Sequence, residues 1–310
     1  MHSHGIHSHH TTAAGNKAAL RTVAWITGIY FLVELGIGIH TGSVAVLSDA
    51  FHTFSAVAGV LLALFAGRMA ARPADHLRTF GSFRIEIVGA LFNGLFLLVM
   101  ALIVLWMGFE RLFHPVELPT TPMFIAAIGG LVTEFISMRL LYGAQKDNLN
   151  IKGAFWHVVQ TFVGSLIVII VAIVVRLTGF VAIDPILGML FGVTLFFASW
   201  SILRESVDIL LEGVPKGVDI RQVQEALEKI PGVANVHHIH AWSLTSGKNI
   251  FSAHLRTDDA SRIQEIQSEA QQLLRERFGF YFSTIQVETD CGDPDPASDI
   301  DITNGAGGTK

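Results

Sequence analysis

The sequence predicts an all-α bundle of six transmembrane helices followed by a small α+β domain, and three observations carry that prediction. Of the 310 residues, 51% are hydrophobic and only 15% charged, with a mean hydropathy of +0.51. A soluble domain carries roughly 25% charged residues, so this chain has too few to cover a surface facing water. Six apolar stretches, near 20–40, 44–66, 85–109, 122–143, 153–176 and 183–203, have the length a helix needs to cross a hydrocarbon core, about 20 residues. After about residue 205 the apolar runs shorten and acidic residues outnumber basic ones.

Each element has its own justification. Ile87–Phe109 and Gly153–Val175 contain no Asp, Glu, Lys or Arg. The first, second and fourth stretches each carry one carboxylate, Glu34, Asp49 and Glu134, and the sixth opens on Asp184-Pro185, where Asp184 is read as the cap of that helix. Arg68, Arg72, Arg78 and Arg84 flank the second connection, and Arg139, Lys146 and Lys152 the fourth. Lys17 and Arg21 precede the first span. The opposite side holds Arg111 and Arg176, so the positive-inside bias places both termini in the cytoplasm.

In the C-terminal part, Ile220, Val223, Leu227 and Ile230 share a helical face that Pro231-Gly232 ends. Residues 234–244 and 249–256 read as strands joined across Thr245-Ser246-Gly247. Ile263, Ile266, Leu273 and Leu274 mark a second helix, and 283–289 a third strand. The order is α-β-β-α-β. The expected division is a His-rich disordered N-terminus over 1–16, a membrane domain over 17–210, a C-terminal domain over 211–291, and a disordered Asp/Gly/Pro-rich tail over 292–310. No cleavable signal peptide is expected, because the first twenty residues are polar and His-rich. Cys291, the single cysteine, excludes a disulfide framework and a Cys-cluster zinc site, and a net charge of −5 argues against nucleic acid as a partner.

Ionisable groups at bilayer depth cost several kcal/mol unless paired, so each requires a reason. Asp49 and His52 stand three apart in LSDAFHTF, on one helical face. His157 lies among apolar neighbours in GAFWHVV. Two imidazoles on separate helices either ligate a divalent ion or hydrogen-bond within the bundle. Glu134 binds metal, carries a proton or pairs with a neighbour; Glu34 has the same options, and pairing is favoured for it. The N-terminal MHSHGIHSHH is either a weak buffer for soft cations or a tag remnant. In VHHIHAW, strand alternation puts His238, His240 and Trp242 on one face and His237 with Ile239 on the other, with His254 on the next strand. Core packing and metal binding are the two readings of these histidines. No nucleophile–base constellation or phosphate loop appears, so no enzymatic chemistry is expected.

Together these residues resemble the cation diffusion facilitator family of proton-coupled exporters of zinc and related metals, and within it the bacterial cobalt-zinc-cadmium resistance exporters. The resemblance covers roughly residues 17–291. It rests on LSDAFH, RPADHLRTFGSFRIEIVGALFN, NLNIKGAFWHV, VDILLEGVP, GVANVHHIHAWSLTSGK and STIQVE, in order.

The resemblance implies a homodimer in the bacterial inner membrane with a metallochaperone-like cytoplasmic domain. It also implies a tetrahedral transport site with two ligands from span two and two from span five. His52 and His157 match the first ligand of each pair, but the usual aspartates are replaced by Ala56 and Thr161. Glu134 stands where the family has an asparagine near that site. A rebuilt set of His52, His157 and Glu134 is therefore expected, with Asp49 as a fourth ligand or an acceptor orienting His52. In the family's second site Asp75 remains, but its histidines have become Arg78 and Ser82, so no metal is expected there. Arg84 and Glu212 match a basic–acidic pair that locks dimers. His237, His254, Gln286 and Glu288 match positions that hold regulatory ions in relatives, with His238 where Asp is usual. The expected activity is export of divalent metal, zinc foremost, against entering protons. The alternatives are a cobalt-, nickel- or iron-selective exporter and a non-transporting, metal-responsive family member.

Overall fold

The computed structural model describes residues 7–70, 74–142, 149–290 and 302; the side chains of 7–20, 56, 59, 60, 62–64, 66–70, 149–154, 156 and 157 lie outside that description. Two compact units emerge. A helical unit comprises the chain up to residue 71 with 89–203, and an α+β unit comprises 72–88 with the chain from 204. The tail over 292–310, residue 302 apart, and the first six residues of the histidine tract lie outside the described residues.

The long helices are α1 (His7–Thr41), α2 (Val44–Ala70), α3 (Arg84–Phe113), α4 (Thr120–Tyr142), α5 (Leu149–Thr178) and α6 (Ile183–Leu210). Among the described residues, five segments are long and apolar enough to cross a membrane: Arg21–Thr41, Arg84–Phe113, Thr120–Tyr142, Val158–Thr178 and Ile183–Leu210. Hydropathy placed the start of the first helix near residue 20, whereas α1 begins at His7, within the stretch expected to be disordered. Residues 13–20 (AAGNKAAL) are rich in strong helix formers, and a helix needs no apolar face to continue beyond a bilayer.

Within the helical unit α4 packs along α5 and α1 along α2, while α1 meets α4 and α2 meets α5, closing a ring of four helices. Its outer face is apolar, with Trp25, Phe92, Trp106, Phe135, Leu190 and Trp200 exposed, and its interior holds Glu34, Asp49, His52, Glu134 and Ser165. Water would favour the reverse distribution. A hydrocarbon solvent favours this one, because only the interior can satisfy polar side chains.

Asp184 was expected to cap α6 and instead caps α2. Its Oδ1 accepts from Ser43 Oγ at 2.5 Å and from the Ala45 amide at 3.3 Å, and its Oδ2 from the Val44 amide at 2.8 Å. The orphan amides that open α2 are buried and must find an acceptor. The carboxylate that reaches them belongs to another helix, a pairing invisible to local sequence.

The α+β unit contains α7 (Ile220–Glu228), β1 (Val233–Thr245), β2 (Lys248–Thr257), α8 (Ile263–Phe278) and β3 (Phe282–Glu288). Asp219 caps α7 by accepting from the Arg221 amide at 3.0 Å. Gly279, in the left-handed region at φ +68°, ends α8. The sheet order is β1-β2-β3, with β1–β2 antiparallel and β2–β3 parallel. Val223 and Leu227 of α7 and Ile266, Ala270 and Leu274 of α8 pack with Val236, Ile239, Phe251, Leu255 and Ile285 of the sheet in one core. In the segment before α3, Asp75 Oδ1 accepts from the Leu77 and Arg78 amides at 2.9 and 2.7 Å, and Arg78 donates to Ser82 Oγ at 3.0 Å. Arg84 donates to Glu212 Oε1 at 2.7 Å, so the two residues form an ion pair within one chain.

Candidate metal sites

The helical unit gathers carboxylates from three helices around one serine. Ser165 of α5 donates to Glu134 Oε1 of α4 at 3.0 Å and lies 3.4 Å from Asp49 Oδ2 of α2. Glu34 of α1 lies within hydrogen-bonding reach of Asp49 and accepts from Tyr30 at 3.1 Å and Thr53 at 3.3 Å. The Tyr30 hydroxyl also reaches the Ala126 carbonyl at 2.9 Å, tying α1 to α4. Glu34, Asp49 and Glu134 are 1%, 1% and 4% exposed, and Glu134 Oε2 has no hydrogen-bond partner among the described residues. Glycines make this approach possible. A Cβ at Gly164 would collide with Asp49 Oδ1, and one at Gly130 with Ser165 Oγ.

The predicted ligands are brought together only in part. His52, one turn from Asp49, is buried, with its ring edge-on to Phe191 of α6 at 5.4 Å between centres. The His157 and Ala56 side chains lie outside the described residues. Thr161 turns its hydroxyl back onto its own helix, donating to the Val158 carbonyl at 2.9 Å. Among the described residues, no three of Glu34, Asp49, His52 and Glu134 bring ligand atoms all within 4.8 Å of one another. Sequence reading missed Ser165, Tyr30 and Thr53. The available signal was a serine inside FVGSLIV, a hydroxyl in an apolar run that needs a partner in hydrocarbon.

The α+β unit does gather such a set. His237, His254 and Glu288, from β1, β2 and β3, offer ligand atoms that all lie within 4.8 Å of one another. His237 Nε2 stands 3.0 Å from Glu288 Oε1, and His254 Nδ1 3.7 Å from Glu288 Oε2. The pairing register explains the meeting, since His237 sits opposite His254 and His254 beside Gln286, two residues before Glu288. Gln286 donates to Glu288 Oε2 at 2.7 Å. His237 Nδ1 lies 3.1 Å from Asn235 Oδ1. A proton on Nδ1 donated to that oxygen leaves Nε2 as the lone-pair atom, the usual device for orienting a ligating imidazole. Two imidazoles and a carboxylate, with His237 oriented by Asn235 and Glu288 by Gln286, fit a zinc-like divalent ion.

Strict alternation does not hold across VHHIHAW. His237 pairs with His254, and His240 with Ser252, so three residues of β1 answer two of β2. His238 is the extra residue of this bulge, with φ +48°. The insertion resets the period. Ile239 joins Val236 and Ala241 in the core, and His238 comes to the His237–His254 side, its ring centre 5.6 and 5.3 Å from theirs.

These features define a multi-pass helical membrane protein with polar groups from several helices at its centre and a small α+β domain that gathers two histidines and a glutamate. Comparison with known proteins makes the assignment specific. The cation efflux transmembrane domain matches residues 20–211, and the cytoplasmic domain of cation efflux proteins matches 215–290. The chain belongs to the cation efflux, or cation diffusion facilitator, family. Its relatives include the metal cation efflux system protein CzcD of Cupriavidus metallidurans, 36% identical over 97% of this chain and 96% of the relative. The cadmium, cobalt and zinc/H(+)-K(+) antiporter of Bacillus subtilis is 34% identical over 93% and 94%. The zinc transporter ZitB of Escherichia coli is 32% identical over 95% of each.

Proposed function

We propose that this protein exports divalent metal cations, zinc foremost, from the cytoplasm in exchange for protons. It would act as a homodimer of six-span protomers in a bacterial inner membrane, with both termini cytoplasmic. The chain divides at about residue 210 into the transporting domain and the cytoplasmic one. The observation that carries the reading is Glu134, a buried carboxylate with one oxygen unpartnered among the described residues, held by Ser165 beside Asp49. It supplies to this region the negative charge that Ala56 and Thr161 no longer provide. The names of the relatives above support metal as the cargo.

In this mechanism His52, His157 and Glu134 take the ion in the inward-open state, with Asp49 as a fourth donor or as the acceptor that orients His52. Rocking of helices around the site exposes it to the outside. Protonation of the same groups then releases the ion, a task suited to imidazole, which titrates near pH ~6.5. The triad of His237, His254 and Glu288 holds a regulatory ion that draws the two cytoplasmic domains together.

A second reading keeps transport and changes the cargo. Thr161 donates its hydroxyl proton to the Val158 carbonyl, and a set of two histidines and a carboxylate with open positions also suits iron, cobalt or nickel.

The test is metal-driven proton flux in liposomes with the wild type, His157→Ala and Glu134→Gln, with Zn2+, Co2+, Ni2+ and Fe2+ in turn. Flux lost in both variants supports the rebuilt site, and the preferred ion names the cargo. Flux intact in both refutes the site. No flux from the wild type with any ion identifies a family member that has given up transport.

A further inference from the structure

We propose that His238 is the fourth ligand of the metal site in the α+β unit, making a set of His237, His238, His254 and Glu288 that is complete within one protomer. The proposal rests on the reading of His237, His254 and Glu288 as a metal site, and extends it to a residue that strand alternation assigns to the other face.

His238 adopts φ +48°, a left-handed conformation that costs a residue with a Cβ on the order of 1 kcal/mol or more. The bulge that imposes it serves no core contact of His238, since Val236, Ile239 and Ala241 fill the core positions on either side. What the bulge does is bring a third imidazole beside two others. His238 is 8% exposed, so its ring is buried in that cluster rather than directed to solvent.

The spacing of the rings agrees with one shared ion. A tetrahedral zinc lies about 2.1 Å from each nitrogen, and a ring centre about 1.1 Å beyond it, so two imidazoles on one ion have centres about 5.2 Å apart. The observed separations are 5.4 Å for His237–His254, 5.6 Å for His237–His238 and 5.3 Å for His238–His254. All three pairs have the separation of rings sharing one ion. His240 does not; its ring centre is 6.5 Å from that of His238. His238 contributes no nitrogen to the group within 4.8 Å as its ring stands. Loading requires the His238 imidazole to turn one nitrogen toward the other three donors. With Glu288 across the three rings, the donors become three nitrogens and one oxygen, a closed tetrahedral set of the structural kind.

The experiment uses full-length protein in detergent carrying His52→Ala and Glu134→Gln, with His2, His4, His7, His9 and His10 also replaced by Ala, so that neither the membrane domain nor the N-terminal histidine tract contributes. Co2+ is titrated by its visible absorption, then displaced by Zn2+ in competition with a chromogenic chelator. The expected result is one ion per protomer with the intense absorption of tetrahedral Co2+. His238→Asn and His238→Gly both tolerate the left-handed backbone, so loss of fold does not confound them. Each is expected to weaken binding at least ~10-fold, the lower end for disturbing a ligand's support, and to replace the tetrahedral spectrum with a weak one. His240→Ala is expected to change neither. Unchanged affinity and spectrum in both His238 variants overturn the proposal and leave the three-residue site standing. No binding in the parent protein overturns the three-residue site itself.

Discussion

Ser165 is the hydroxyl through which two carboxylates of the membrane domain meet, and its removal tests whether Glu134 is a ligand held in place. Its Oγ donates to Glu134 Oε1 at 3.0 Å and lies 3.4 Å from Asp49 Oδ2, with the serine fully buried. A net hydrogen bond to an ionised group is worth about 1.5–3 kcal/mol. At ~1.4 kcal/mol per decade, Ser165→Ala should weaken metal binding at the site by roughly 10- to 150-fold. The assay is the metal dependence of flux in liposomes, where the variant should raise the half-saturating metal concentration by that factor. The double-mutant cycle is closed by repeating Ser165→Ala in a Glu134→Gln background with metal affinity in detergent as the readout for all four proteins, because Glu134→Gln is expected to lose flux. If serine acts by positioning Glu134, its effect largely vanishes there. Full additivity of the two substitutions would refute the reasoning, because it would mean that serine and glutamate act independently.

Three further outcomes follow from the packing. Gly164→Ala places a methyl group against Asp49 Oδ1 and should abolish flux in correctly inserted protein, while Gly36→Ala, with nothing within 4 Å, should leave it unchanged; flux measured in matched liposomes decides. Asp184→Ala removes the acceptor of Ser43 and of two α2 amides and should cost about 0.5–2 kcal/mol as a lost helix cap. That loss is read as a lower melting temperature in detergent, and an unchanged one contradicts the capping role. Leu255→Ala empties a fully buried position in the α+β core at a cost of about 2–5 kcal/mol. The cytoplasmic domain should then be cleaved by trypsin faster than in the wild type, while membrane segments stay protected.

The order of elements could be read along the chain because their signals are local. Uninterrupted apolar runs such as Ile87–Phe109 have one cheap solution in hydrocarbon, a helix that satisfies its own backbone. The turn at Thr245-Ser246-Gly247 and the stop at Pro231-Gly232 likewise lie where local chemistry puts them. Three features escaped. Asp184 caps a helix 140 residues away, Ser165 joins two other helices, and His238 is displaced by a bulge. Each depends on a partner distant in sequence, or on one extra residue in a strand whose period of two makes every later face change over.

The sequence by itself determined that this is a membrane protein with an α+β appendage, because solvent preference is a sum over residues and needs no contacts. It also fixed which imidazoles and carboxylates were available as ligands. Only the tertiary structure decided which of them meet. His237, His254 and Glu288 converge through strand register, and Glu134 and Asp49 through one serine where Gly164 and Gly130 let side chains approach the backbone. A site is a set of distances between elements, and those distances are set by packing, which no single segment of the chain contains.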